Sequence, residues 1–97
     1  MDRVSFNPLD ERELNDAARY YEIKCPGLGS RFLEEAERCL FTIVEYPESS
    51  PVLQGDIRRQ LMRSFPYGLL YTIKPDFIRL LAVMNLHRHP LYWIGRN

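Results

Sequence analysis

The residues best equipped for chemistry crowd the end of this 97-residue chain, in the run His87, Arg88, His89, Pro90, Leu91, Tyr92 and Trp93, with Arg58, Arg59 and Arg63 upstream. Imidazoles exchange protons near neutral pH, guanidinium forks neutralise phosphate oxygens, and aromatic rings stack on splayed bases. Cleaving RNA through its 2′-hydroxyl needs a base, an acid for the leaving oxygen and cations around the charge-rich phosphorane. The residues that fit these roles are Arg58 and Arg88 as phosphate neutralisers and His87 or Tyr92 as proton carriers. A plainer reading stands beside this one: Tyr92 and Trp93 seal the open end of the core, and Arg58 and Arg88 pair with carboxylates of acidic helices. Adjacent strand residues point to opposite faces, so Arg58 and Arg59 cannot both line one site.

Other familiar sites are missing. Gly27-Leu28-Gly29 lacks the third glycine and the preceding strand of a dinucleotide fingerprint and reads as a turn. His87 and His89 have no neighbouring cysteine or acid to close a zinc site, so neither metal nor cofactor is expected.

Charge is balanced in total but not along the chain. Residues 1 to 50 hold 11 acidic and 6 basic groups, whereas residues 51 to 97 hold 2 acidic and 7 basic, nearly all arginine. Two readings fit this bias, a basic working surface in the second half or a sheet merely solvated by arginines. The apolar content, 45%, argues against disorder, and a chain of this length buries one core, so a single domain over residues 1–97 is expected. The longest apolar runs, such as Leu80 to Met84, fall far short of the ~20 residues of a membrane-spanning helix. Met1 to Ser5 lack the apolar stretch of a secretory signal, which makes the cytoplasm the expected compartment. Cys25 and Cys39 are then free thiols, Cys39 in the core and Cys25 closing a helix.

The elements that must position the basic groups follow from periodicity. Val4 and Phe6 alternate with Arg3 and Ser5 as a short strand. Asn7-Pro8 is a cap followed by proline at the first helical position, and Asp10, Glu11 and Glu13 suit the positive end of the helix dipole. Leu14, Ala17, Ala18 and Tyr21 give this first helix an apolar face until Cys25-Pro26-Gly27 stops it. From Leu28 or Ser30 to Tyr46 a second helix repeats Phe32, Leu33, Ala36, Cys39, Leu40, Ile43 and Val44 at three-four spacing. The short connection makes an antiparallel helical hairpin.

Residues 47 to 56, rich in Pro, Ser and Gly, read as a loop. Three strands follow over 57–64, 68–74 and 77–87, joined by turns at Phe65-Pro66-Tyr67-Gly68 and Lys74-Pro75-Asp76-Phe77. The last strand is apolar on both faces, with Ile78, Leu80, Ala82, Met84 and Leu86 on one and Phe77, Leu81 and Val83 on the other, so it belongs inside the sheet. The expectation is an α+β fold, β-α-α-β-β-β, with the helical hairpin covering one face of a small antiparallel sheet and the other face more open.

Several segments in this order resemble one family. They are Arg31-Phe32-Leu33, Ile43 to Pro47, Gly55-Asp56-Ile57-Arg58-Arg59, the run FPYGLLY from Phe65 to Tyr71, Leu81-Ala82-Val83, and RHPLYW from Arg88 to Trp93 with Arg96. The pattern is similar to the RelE/ParE toxin superfamily of type II toxin-antitoxin, or plasmid stabilisation, modules. The resemblance implies two helices on an antiparallel sheet and an antitoxin partner whose C-terminal segment wraps the toxin. RelE-like members cut messenger RNA in the ribosome; for that activity the resemblance singles out Arg58 or Arg59, Arg88 and Tyr92. ParE-like members inhibit DNA gyrase without known nuclease activity. The sequence therefore leads to a growth-inhibiting toxin, an mRNA interferase in the first reading and a gyrase inhibitor in the second.

Overall fold

A computed structural model describes residues 4–6 and 8–87 of the chain. The elements run β1 (Val4–Ser5), α1 (Pro8–Lys24), α2 (Leu28–Glu45), β2 (Val52–Gln54), β3 (Ile57–Leu61), β4 (Tyr67–Ile73) and β5 (Ile78–Asn85), with all strands in one sheet of order β1-β5-β4-β3-β2. Pro8 opens α1 as the sequence implied, and Asp10 and Glu11 occupy its first turn. No helix among the described residues is long and apolar enough to cross a membrane.

The joint between the helices is tighter than its length suggests. Gly27 adopts φ 90°, a left-handed conformation that carries no penalty for a residue without Cβ. A methyl group on Gly29 would lie 2.5 Å from the Ala18 carbonyl oxygen and 2.9 Å from Glu22 Cβ, so the helices touch backbone to side chain there. The first turn of α2 holds no acid of its own. Glu22 of α1 takes that role: its carboxylate accepts the Gly27 N–H at 3.0 and 3.1 Å and the Gly29 N–H at 3.0 Å. A carboxylate at a helix start satisfies orphan donors and complements the dipole.

Ala17 and Ala18 of α1 and Phe32, Ala36, Cys39 and Ile43 of α2 pack on Leu69, Tyr71, Ile78, Leu80 and Val83 of the sheet. Phe32 and Ile43 are completely buried; burial of such a side chain stabilises by roughly 1.5–3 kcal/mol. Phe32, Phe65 and Tyr21 interlock with ring centroids 4.8 to 5.5 Å apart.

The expected α+β fold, a helical hairpin on a small and mostly antiparallel sheet, is present, with details that the sequence did not reveal. Val52–Gln54 is a strand and not part of a loop: it pairs with β3 through a tight turn at Gly55, φ 59°. All three of its residues are exposed, so no burial pattern marked it. The sheet is not purely antiparallel, because β1 lies parallel to β5, and the helical hairpin supplies the crossover that a parallel pair requires. β5 does occupy an interior position, but its two apolar faces are not those of simple alternation. Leu70 faces Ala82 and Tyr71 faces Leu80, leaving Leu81 without a partner as a bulge. Past the bulge the parity flips, so Ile78, Leu80 and Val83 join the helix-side core while Leu81, Ala82 and Met84 join Leu70 in a second cluster. The sheet face away from the helices is therefore not bare, since Leu70, Leu81 and Ala82 on it are at most 1% exposed.

Candidate functional site

Register decides which arginines share a surface. Arg58 stands opposite Tyr71, and Arg59 opposite Leu70. Directly opposed residues share a face, so Arg58 lies on the helix side and Arg59 on the outer side. Arg58 donates from one Nη to the Glu48 carbonyl at 3.1 Å and to the Ser50 carbonyl at 2.8 Å. Beside it, Tyr71 Oη donates to the Pro47 carbonyl at 2.6 Å, and the buried Ser50 hydroxyl donates to Gln60 Oε1 at 2.6 Å. Arg58 and Tyr71 thus hold main-chain carbonyls of residues 47 to 50, and Gln60 holds the Ser50 side chain. The plainer reading pairs Arg58 with a carboxylate; among the described residues main-chain carbonyls hold its guanidinium instead.

The outer face gathers a different set. The Arg59 stem runs over Gly68, whose absent Cβ would sit 3.1 Å from Arg59 Cγ. Arg79 stands opposite Thr72, and Thr72 Oγ1 donates to Asp56 Oδ2 at 3.1 Å. Two strand spacings and two residue steps put the Cα atoms of Arg59 and Arg79 roughly 12 Å apart. Arg79 Nε is buried without a hydrogen-bond partner, and neither guanidinium is ion-paired among the described residues. Arg79 was not among the residues singled out from sequence. Its signal was available in the alternation of β5 before the bulge.

His87 ends up far from Arg58. Its N–H donates to Asn85 Oδ1 at 2.9 Å, a side-chain turn that closes β5, and Asn85 stands opposite Tyr67. From Tyr67 to Tyr71, opposite Arg58, β4 advances about 13 Å, with further separation across two strands. Arg58 and His87 thus occupy opposite ends of the sheet. Arg88 and Tyr92, the other two nominated residues, lie outside the described residues.

His87 instead lines a groove of about 600 Å³ between α1 and the ends of β4 and β5, with Arg12, Asp16, Tyr20, Tyr21 and Tyr67 among its walls. Leu9, Glu13, Asp16 and Tyr20 recur at three-four spacing and all line it, a second stripe on α1. Glu13 Oε1 accepts the Val83 N–H at 3.1 Å, tying α1 to the strand just past the bulge. Burial, with the neighbouring Tyr67 and Tyr20, raises the Tyr21 phenol above its ordinary pKa of 10.0, so it is a neutral donor at physiological pH. The groove is apolar at its rim, where Leu9 and Tyr20 are about half exposed.

On the opposite flank of α2, Glu35, Arg38, Cys39, Thr42, Gln60, Leu61 and Arg63 enclose a pocket of about 280 Å³. Burial, and then the Glu35 carboxylate, push the Cys39 thiol up to about 11, with Arg38 opposing. The thiol stays protonated and donates to the Leu61 carbonyl at 3.8 Å. Cys25 is exposed and also free. No three His, Cys, Asp or Glu side chains gather to hold a metal among the described residues.

No protein-family model matches the sequence, and no curated protein matches it. Among solved structures the chain is similar to one described as the chromosomal ParDE TA system from P. aeruginosa, with TM-score 0.77 and 11% identity over 89% of this chain and 97% of that one. The likeness shows the fold alone: two helices packed on a largely antiparallel sheet.

Proposed function

We propose that this chain is the toxin of a type II toxin-antitoxin module and that it inhibits growth by binding its target. The observation that carries the module assignment is the whole-chain backbone likeness to a ParDE system. The groove beside α1 suits the second requirement of such a module, a partner segment that docks on the toxin. Exposed Leu9 and Tyr20 offer apolar contacts there, and Arg12, Glu13 and Asp16 offer polar ones.

Inhibition of gyrase by occupation of its surface is the favoured mechanism, because the nominated nuclease groups that are described do not converge. Arg58 is engaged by two main-chain carbonyls and His87 lies at the other end of the sheet. The second reading, a ribosome-dependent endoribonuclease, draws its support from Arg59 and Arg79 sharing the outer face without carboxylate partners among the described residues.

Induced expression should arrest growth, and co-expression of the small reading frame adjacent in the genome should relieve the arrest. Normal growth under strong induction would overturn the module assignment. Purified protein added in excess to gyrase should block supercoiling while leaving ribosome-bound message intact. Normal supercoiling together with new ends on ribosome-bound message would transfer the assignment to the nuclease reading.

A further inference from the structure

The pocket between α2 and the free edge of β3 has no part in the reading above, and the chemistry of its lining is one-sided. Three of its acceptor atoms are already used. The Glu35 Oε1 accepts the Ser64 N–H at 2.7 Å, Gln60 Oε1 accepts the Ser50 hydroxyl, and the Leu61 carbonyl accepts the Cys39 thiol. Its donors are left over. Among the described residues Gln60, bonded through its oxygen, retains a free amide NH₂, and the guanidinium groups of Arg38 and Arg63 have no carboxylate partner.

The strand edge adds one more donor. The Arg59 N–H points away from β4 to the Pro51 carbonyl, whereas the Met62 N–H points toward β4, to the Tyr67 carbonyl. Leu61 has the parity of Arg59, so its N–H leaves the sheet on the free side. β2 has already ended there, since its register reaches only Arg58.

We propose that this pocket binds the phosphoryl group of a small phosphomonoester, held between the Arg38 and Arg63 guanidinium groups and the Leu61 N–H. Two forked cations, from α2 and from the β3–β4 connection, match the oxygens of a dianion better than those of a carboxylate. A volume of about 280 Å³ exceeds what one phosphate fills and leaves room for an attached sugar. Glu35 is the one opposing charge in the lining, and it sets the sign of a diagnostic variant.

The test is a titration of the full-length chain, followed by amide resonances, with inorganic phosphate, ribose 5-phosphate, acetate and chloride at constant ionic strength. Saturable shifts at Leu61 and Ser64 are expected with both phosphates, tighter with the sugar phosphate, and absent with acetate or chloride. Arg63→Gln, on an exposed connection, should weaken phosphate binding about tenfold, the usual cost of a lost charge-assisted hydrogen bond. Glu35→Gln should strengthen it severalfold, and Arg59→Gln on the outer face should leave it unchanged. Tighter binding of inorganic phosphate than of ribose 5-phosphate would restrict the site to the free ion and overturn the monoester assignment. Shifts that never saturate, that acetate reproduces, or that Arg59→Gln weakens as much as Arg63→Gln would remove the site altogether. These outcomes are independent of growth arrest and of gyrase inhibition, so the pocket and the toxin reading can fail separately.

Discussion

Arg58 and Arg59 are chemically identical neighbours, yet they live in different parts of the molecule. Arg58 turns inward, where two carbonyls of the loop after α2 absorb its charge. Arg59 turns outward, lays its stem over Gly68 and has no carboxylate partner among the described residues. The helix-covered side of the sheet thus spends its arginine on holding a loop, while the outer side leaves its arginines available to a partner. A basic residue in a strand is therefore structural or functional according to its parity.

The sharpest way to break this contrast is to disturb the helix side at its tightest point. Gly29→Ala places a methyl 2.5 Å from the Ala18 carbonyl, a backbone atom that cannot swing away. It should cost about 3 kcal/mol in a urea unfolding series, at the upper end of overpacking effects. A cost below about 0.5 kcal/mol would mean that the helices can separate freely.

Arg58→Ala comes next. Loss of the two carbonyl contacts at a partly exposed position should lower stability by about 1–2 kcal/mol, with the toxic effect falling only in proportion to folded protein. Tyr71→Phe, which removes the hydroxyl holding Pro47, should cost about 1 kcal/mol, and the double variant with Arg58→Ala should be non-additive because both grip one loop.

Arg59→Gln and Arg79→Gln should behave in the opposite way. For Arg59→Gln the stability change should stay within about 0.5 kcal/mol. For either variant, a sharp drop in growth arrest would place target contact on the outer face, whereas undiminished arrest would confine the contact elsewhere.

The smallest effect concerns the thiol beneath α2. Since Cys39 titrates near 11 in the folded protein against 9.0 when unperturbed, the native state binds more protons between those values. Stability should fall as pH rises from about 9 to about 11, more in the native sequence than in Cys39→Ala. At pH 8 a thiol reagent should label Cys25 rapidly and Cys39 only after unfolding.

Both helices were legible because their apolar residues recur at three-four spacing over 17 and 18 residues. The interior placement of β5 was legible too, from its apolar residues on both faces. β2 was not, because an exposed edge strand buries nothing and carries no alternation. The bulge at Leu81 escaped for a related reason: alternation read along one strand cannot register an extra residue that only pairing with β4 reveals. Glu22 looked like a surface acid, and only the reversal of the chain at Gly27 brings it over the start of α2. Of the site, the opposite facing of Arg58 and Arg59 followed from strand geometry alone. Which of the two faced the helices did not.

Local pattern and composition determined the helices, the last three strands, the basic second half and the free thiols, since each depends on neighbours within a few turns or one strand. Tertiary packing decided the rest: the edge strand β2, the parity flip, the capture of Arg58 and the separation of His87 from it. Those features depend on which backbone groups meet across the sheet, and pairing partners such as Arg58 and Tyr71 are 13 residues apart in the chain.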